Sequence, residues 1–210
     1  MLARPRIFTL MSARTIGTSG PDTEIVEREP CDVCGASYRE EVTFLDYQFD
    51  TWEKAEFVDA HQYVYAVTRR LYEKLEQAGL KGFSARAMKT SRGQIFEEVD
   101  PEHRVVIPEF VQLLILGKAN GPSGWWDRGE VCPACGRTIW KPTSRVTEAL
   151  FAKFSNKVAA PRLVSADTWE GDDIFFLTDP GPPVITDRFE RVLAEQNVQG
   201  VELQPAEWVS

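Results

Sequence analysis

Two short motifs of one form, Cys31-Asp-Val-Cys34-Gly35 and Cys132-Pro-Ala-Cys135-Gly136, stand far apart in a chain of 210 residues. Two thiolates separated by two residues in a tight turn reach one tetrahedral ion, with metal–sulfur bonds of ~2.3 Å. A glycine after the second cysteine permits positive φ, which turns backbone N–H groups toward the sulfurs. Two such knuckles supply the four ligands of a closed structural zinc site: Cys31, Cys34, Cys132 and Cys135. A thioredoxin-like redox pair would instead open a helix whose dipole lowers the thiol pKa. Here the pairs follow turn residues, Glu29-Pro30 and Gly129-Glu130. A disulfide across a two-residue gap is strained, and four thiolates leave no open position for a catalytic water. One ion held from both ends constrains the whole fold. Residues 35–131 must form an inserted helix and strand subdomain that returns to the metal within a knuckle region of 1–140. Residues 141–210 then form an α/β region packed on it, in one continuous domain.

The chain is large enough to bury a real core. Thirty-two acidic against 24 basic residues give a net charge of −8, which argues against a duplex-DNA or anionic-membrane binder. The longest apolar run, Val111 to Leu116, is broken by Gln112 and suits a buried strand rather than a membrane span. Arg4, Arg6 and Arg14 without an acid before Asp22 resemble a transit peptide, but a first strand over Arg6 to Ser12 is the simpler reading.

Along the chain, Val42 to Phe49 reads as a strand. A helix is expected over Thr51 to Ala78, with Phe57, Val64, Leu71 and Leu75 on its apolar stripe and Gly79 as its αL stop. Leu80 to Met88 and Val105 to Leu116 read as extended, the latter interrupted at Pro108. Residues 117–130 read as a Gly-rich loop carrying Trp125 and Trp126. Ser144 caps a helix that uses Val146, Leu150 and Phe154. Arg162 to Trp169 and Asp173 to Thr178 form strands about the turn Glu170-Gly171-Asp172. Thr186 caps a last helix with Phe189, Val192 and Leu193 inside, before a strand over Val198 to Gln204. The pattern is α+β, with mixed or antiparallel sheets flanked by helices. Residues 70–83 echo residues 188–201 at a constant offset of 118. Shared helix-stop chemistry explains the echo as well as a duplication does.

Catalytic signals are sparse. His61 falls on the expected helical stripe and His103 in a polar turn, and neither a nucleophile elbow nor a phosphate-cradling loop is present. Acidic residues cluster instead. Asp167, Glu170, Asp172 and Asp173 surround Trp169, and Trp125 and Trp126 lie close to the second knuckle. Such clusters keep a chain soluble and complement a helix N-terminus, or form a face that steers a basic partner and supplies aromatic anchors, whereas Trp140 is placed to shield the metal.

Paired CXXCG motifs about a hundred residues apart resemble the double-CXXCG-motif immunity proteins of bacterial polymorphic-toxin systems, best known from myxobacteria. The tail Ile185 to Leu203 is similar to the closing helix and strand of several immunity families. That resemblance implies a cytoplasmic, non-enzymatic protein that neutralises a cognate toxin by stoichiometric occlusion. Its partner is then the toxin domain and its zinc is structural. Two other classes remain open: a zinc-ribbon nucleic-acid or protein interaction module, and a hydrolase reversing a toxin's modification.

Overall fold

The computed structural model describes residues 4–26, 30–35, 41–155 and 160–210. In chain order, β1 (Ile7–Ser12), β2 (Gly17–Ser19), β3 (Glu24–Val26), β4 (Glu41–Phe44) and β5 (Asp46–Phe49) come first. The hairpin β6 (Phe57–His61) and β7 (Val64–Thr68) leads into α1 (Arg69–Gln77), then β8 (Phe83–Ala87), β9 (Lys89–Arg92) and α2 (Gln94–Val99). Next come β10 (Phe110–Ile115), β11 (Gly117–Ala119), β12 (Trp126–Val131), β13 (Thr138–Pro142) and α3 (Ser144–Ser155). The chain closes with β14 (Arg162–Ser165), β15 (Ile174–Leu177), β16 (Val184–Thr186), α4 (Asp187–Glu195) and β17 (Glu202–Val209).

The architecture is α+β. A six-stranded mixed sheet runs β11-β15-β16-β1-β17-β14, and a four-stranded antiparallel sheet runs β6-β7-β10-β8. Smaller sheets are β2-β5-β9, β12-β13 and β3-β4. Residues 35–131 contribute a strand to every one of these sheets, so the stretch between the knuckles is interleaved with the rest of the chain. The edge of β14 is covered: Ser165 N–H donates to Asn120 O (2.9 Å) and Leu163 N–H to Ser123 O (3.2 Å). That pairing satisfies backbone groups an open edge would leave exposed. α1 and α4 bury Leu71, Leu75, Phe189, Val192 and Leu193 against Leu10, Val111, Leu113, Ile174 and Ile185, which joins both large sheets in one core.

The first strand and the last helix lie as expected, with Thr186 Oγ1 accepting from Phe189 N–H to start α4. Gly79, at φ 65°, follows α1 as its left-handed stop. The helix expected over Thr51 to Ala78 is corrected to residues 69–77, because residues 57–68 form a hairpin instead. Phe57, Val58, Tyr65, Ala66 and Val67 are all buried, and a strand covered on both faces lacks the alternation that tells it from a helix. The turn at Gln62 and Tyr63 takes positive φ at both residues (29° and 67°) without a glycine to announce it. His61 therefore ends a strand rather than lining a helix.

Residues 117–130 hold two strands, β11 and β12, where a loop was expected. α3 buries Ala149 and Ala152, whereas Leu150 is 53% exposed. Small residues let that helix lie close to the sheet, where Gln204 Nε2 donates to Ala149 O. The final strand runs from Glu202 to Val209, five residues beyond its expected end. Glu29 and the side chain of Phe154 lie outside the described residues.

Candidate metal centre

Each cysteine pair sits in a turn between antiparallel strands: the first knuckle between β3 and β4, the second between β12 and β13. Gly35 N–H donates to Cys31 O (2.7 Å) and Gly136 N–H to Cys132 O (2.9 Å), closing the two loops in the same way. Gly35 and Gly136 have φ of 64° and 71°, and a Cβ at either would meet nothing within 4 Å. Conformation alone therefore calls for glycine there.

The four sulfurs lie within 4.8 Å of one another, so residues 101 positions apart form one group. Cys31 Sγ is 3.8 Å from Cys132 Sγ, and Cys34 Sγ is 3.8 Å from Cys135 Sγ. Bonds of ~2.3 Å at tetrahedral angles give sulfur–sulfur edges of about 3.8 Å. The donor set fits a metal ion on both spacing and chemistry. All four are free cysteines, with Cys132 buried and the others half-buried. The N–H groups of Cys34 and Val33 hold the Cys31 thiol down at about 7. Those of Cys135 and Ala134 lower Cys132 likewise. At Cys135 the Arg137 N–H favours the thiolate, but partial desolvation and the Cys132 and Cys31 thiols outweigh it and raise the pKa. Backbone dipoles thus favour the thiolate form at two of the ligands.

The residues expected to meet a partner fall into two groups. Asp167 and Glu170 are exposed, and Trp126 is half-buried. The others are committed to the fold. Trp125 is 3% exposed, with its indole N–H on Ala160 O and the Arg162 guanidinium 5.4 Å from its ring centroid. Asp173, expected on the acidic face, is 1% exposed: it accepts from Thr186 Oγ1 (2.7 Å), Lys81 N (3.0 Å) and Arg188 Nη1 (3.2 Å). A carboxylate with three donors holds the Thr186 cap of α4 in place and is not a free steering charge. Trp169 donates to Asp172 O and packs with its ring centroid 5.0 Å from that of Trp208, tilted by 47°. Desolvation, with Glu170 nearby, raises the pKa of Asp172, which packs against Gly82 and Gly117.

Beside the second knuckle a cleft of about 1340 Å³ opens between the β12–β13 hairpin and the body. Trp126, Arg128, Arg137 and Trp140 line one side, and Tyr63, Asn120 and Asp179 the other; Cys34 also reaches it. Arg128 and Trp140 are directly opposed across the hairpin. Trp140, expected to cover the metal, thus also walls the cleft. At its base Arg162 is fully buried, donating to Asp179 Oδ1 (2.9 Å), Pro180 O and Pro182 O. Neither the cleft nor this pairing was foreseen. The run Asp179-Pro-Gly-Pro-Pro183 is the one local sign that the chain there is held rigidly.

No family model matches the sequence, and no curated protein matches it. Among the described residues, no helix is long and apolar enough to cross a membrane.

Proposed function

We propose that this chain is an immunity protein that binds a cognate bacterial toxin and covers it stoichiometrically, with zinc as a structural ion. The observation that carries the reading is the joining of both CXXCG pairs into one four-thiolate cluster. This is the arrangement expected of the double-CXXCG proteins that the sequence resembles. Zinc is the metal of choice because four thiolates in a closed tetrahedron favour a soft or borderline ion. The ion contributes folding energy and no chemistry. The adjoining cleft, with Trp126, Trp140 and Tyr63 in its walls, supplies a concave aromatic surface of the kind on which binding energy concentrates.

Co-expression with the product of the adjacent upstream gene tests the function. Rescue of growth is expected only when the two proteins are present in roughly equal amounts. Rescue at far lower ratios would point to an enzyme, and no rescue would remove the reading. The metal is tested separately. Purified protein is expected to hold one zinc, and Cys132→Ser to lose it together with several kcal/mol of stability. Unchanged metal content in that variant would refute the centre.

A further inference from the structure

The pairings made by the first half of the chain recur in the second. α1 and α4 are nine residues each, start from Thr68 and Thr186, and stop before Gly79 and Asn197, both at positive φ. Ahead of each helix lies an antiparallel strand pair, the second with one more residue in its connection: Val58 opposes Ala66 as Phe175 opposes Val184. One antiparallel strand pairs with both flanking strands in each half. Phe110 opposes Thr68 and Leu113 opposes Ala85, as Ile7 opposes Thr186 and Leu10 opposes Leu203. Outside these, Tyr47 pairs in parallel with Thr90 as Val164 does with Trp208. Finally, Arg14 bridges Val58 in parallel as Gly117 does Phe175.

Side chains repeat the scheme. Thr68 Oγ1 donates to Glu56, which pairs with Arg70; Thr186 Oγ1 donates to Asp173, which pairs with Arg188. Arg69 N–H meets Glu109 O, and Asp187 N–H meets Arg6 O, both at 2.8 Å. At those positions the ion pairs are kept with their charges reversed, Arg69–Glu109 and Asp187–Arg6. Two unrelated αβ units share helix-stop chemistry, but nothing makes them share five ladder registers and a capping acid.

The equivalent strands β1 and β10 are exchanged. β10 sits between β7 and β8 of the first half, and β1 between β16 and β17 of the second. Each chain segment then returns to its own half, at Arg14 and at Gly117. We infer that the protein is a tandem duplication, 7–92 and 110–209, whose copies exchange first strands about a pseudo-two-fold axis, with the metal centre as the joint on that axis. The equivalent cysteines are Cys31 with Cys132 and Cys34 with Cys135, and in both of these pairs the sulfurs are 3.8 Å apart. The motif occurs twice because each copy brings half a site, as in a metal-bridged symmetric dimer. α3 is the main insertion in the second copy. The equivalent turns, at Gln62-Tyr63 and Asp179 to Gly181, line the same cleft, which therefore lies between the copies.

The test uses the full chain with a site-specific protease sequence inserted between Glu102 and His103, in the exposed linker. After cleavage, the halves are expected to remain a 1:1 complex on a native column, with one metal ion per pair by native mass spectrometry. Chelator with denaturant should separate them, and neither half should keep the ion. Halves that part on the native column, or an ion that leaves with one half, would overturn the inference. Should the insertion disturb folding, a metal-bound crystal structure of the unaltered chain decides. Superposing 46–92 on 163–209 is expected to need a rotation of about 180° with the ion on its axis. An ion well off the axis would contradict the joint.

Discussion

Arg162 shows how much of this fold rests on single polar side chains. Its guanidinium is wholly buried; burial pulls its pKa down, while Asp179 pushes it back up. Removing it leaves the Asp179 carboxylate and two proline carbonyls without a donor. Arg162→Met should therefore cost about 3–5 kcal/mol, as breaking a buried pair from one side does. Urea unfolding measures it, and a change below 1 kcal/mol would deny the pairing its role. Asp100 gives a pH signature. The Val105 N–H, then Arg92, hold its carboxyl at about 2. A depressed carboxyl stabilises fully above its unfolded value near 4 and loses that contribution as pH falls toward 2. Proteolysis within residues 100–105 should rise across that window and stay flat above it. Neither residue stood out in the sequence, because a lone arginine or aspartate acquires meaning only from the groups that the folded chain turns toward it. The cysteines did stand out, since spacing and glycine are local features.

At the scale of elements, the helix ends were legible and the hairpin was not. Thr186, Phe189 and Gly79 carry their roles in local chemistry: a hydroxyl that caps, an apolar spacing of three to four, and a left-handed stop. Gly79→Ala should cost about 1–2 kcal/mol, the strain of a Cβ at positive φ, since the site is otherwise open. Thermal unfolding checks it, and an unshifted midpoint would mean the chain leaves α1 in another way. Phe57 to Thr68 escaped for the opposite reason. Apolar residues at 57, 64 and 71 match a helix period, and only double-sided burial in the four-stranded sheet decides for strands. In sequence the echo at an offset of 118 fits shared helix-stop chemistry as well as the inferred repeat, and the reversed charges at Arg69 and Asp187 weaken it further.

For the whole molecule, charge and partner binding separate once burial is known. The net charge of −8 favours fast association with a basic partner. Asp167 and Glu170 are exposed and Asp173 is not, so the acidic cluster divides. If the proposed immunity function holds, neutralising Asp167 and Glu170 should slow association with the cognate toxin at low salt and leave stability within about 0.5 kcal/mol of the parent. Asp173→Asn should instead lower stability by about 1.5–3 kcal/mol, through its bonds to Thr186, Lys81 and Arg188. Stopped-flow association and denaturant unfolding distinguish the two. An on-rate indifferent to both substitutions and to ionic strength would dismiss electrostatic steering.

From the sequence alone came the fold class, the meeting of the four sulfurs at one site, the first strand, and the cap that starts the last helix. Each follows from local rules of spacing, capping and backbone conformation. Tertiary structure decided that residues 57–68 are strands, that Trp125 and Asp173 are interior, and that a cleft lies beside the second knuckle. It also decided which strand belongs to which sheet. An exchanged strand has the same alternation and composition as one that stays at home. Only the register of its partners, which for β1 lie more than a hundred residues away, tells them apart.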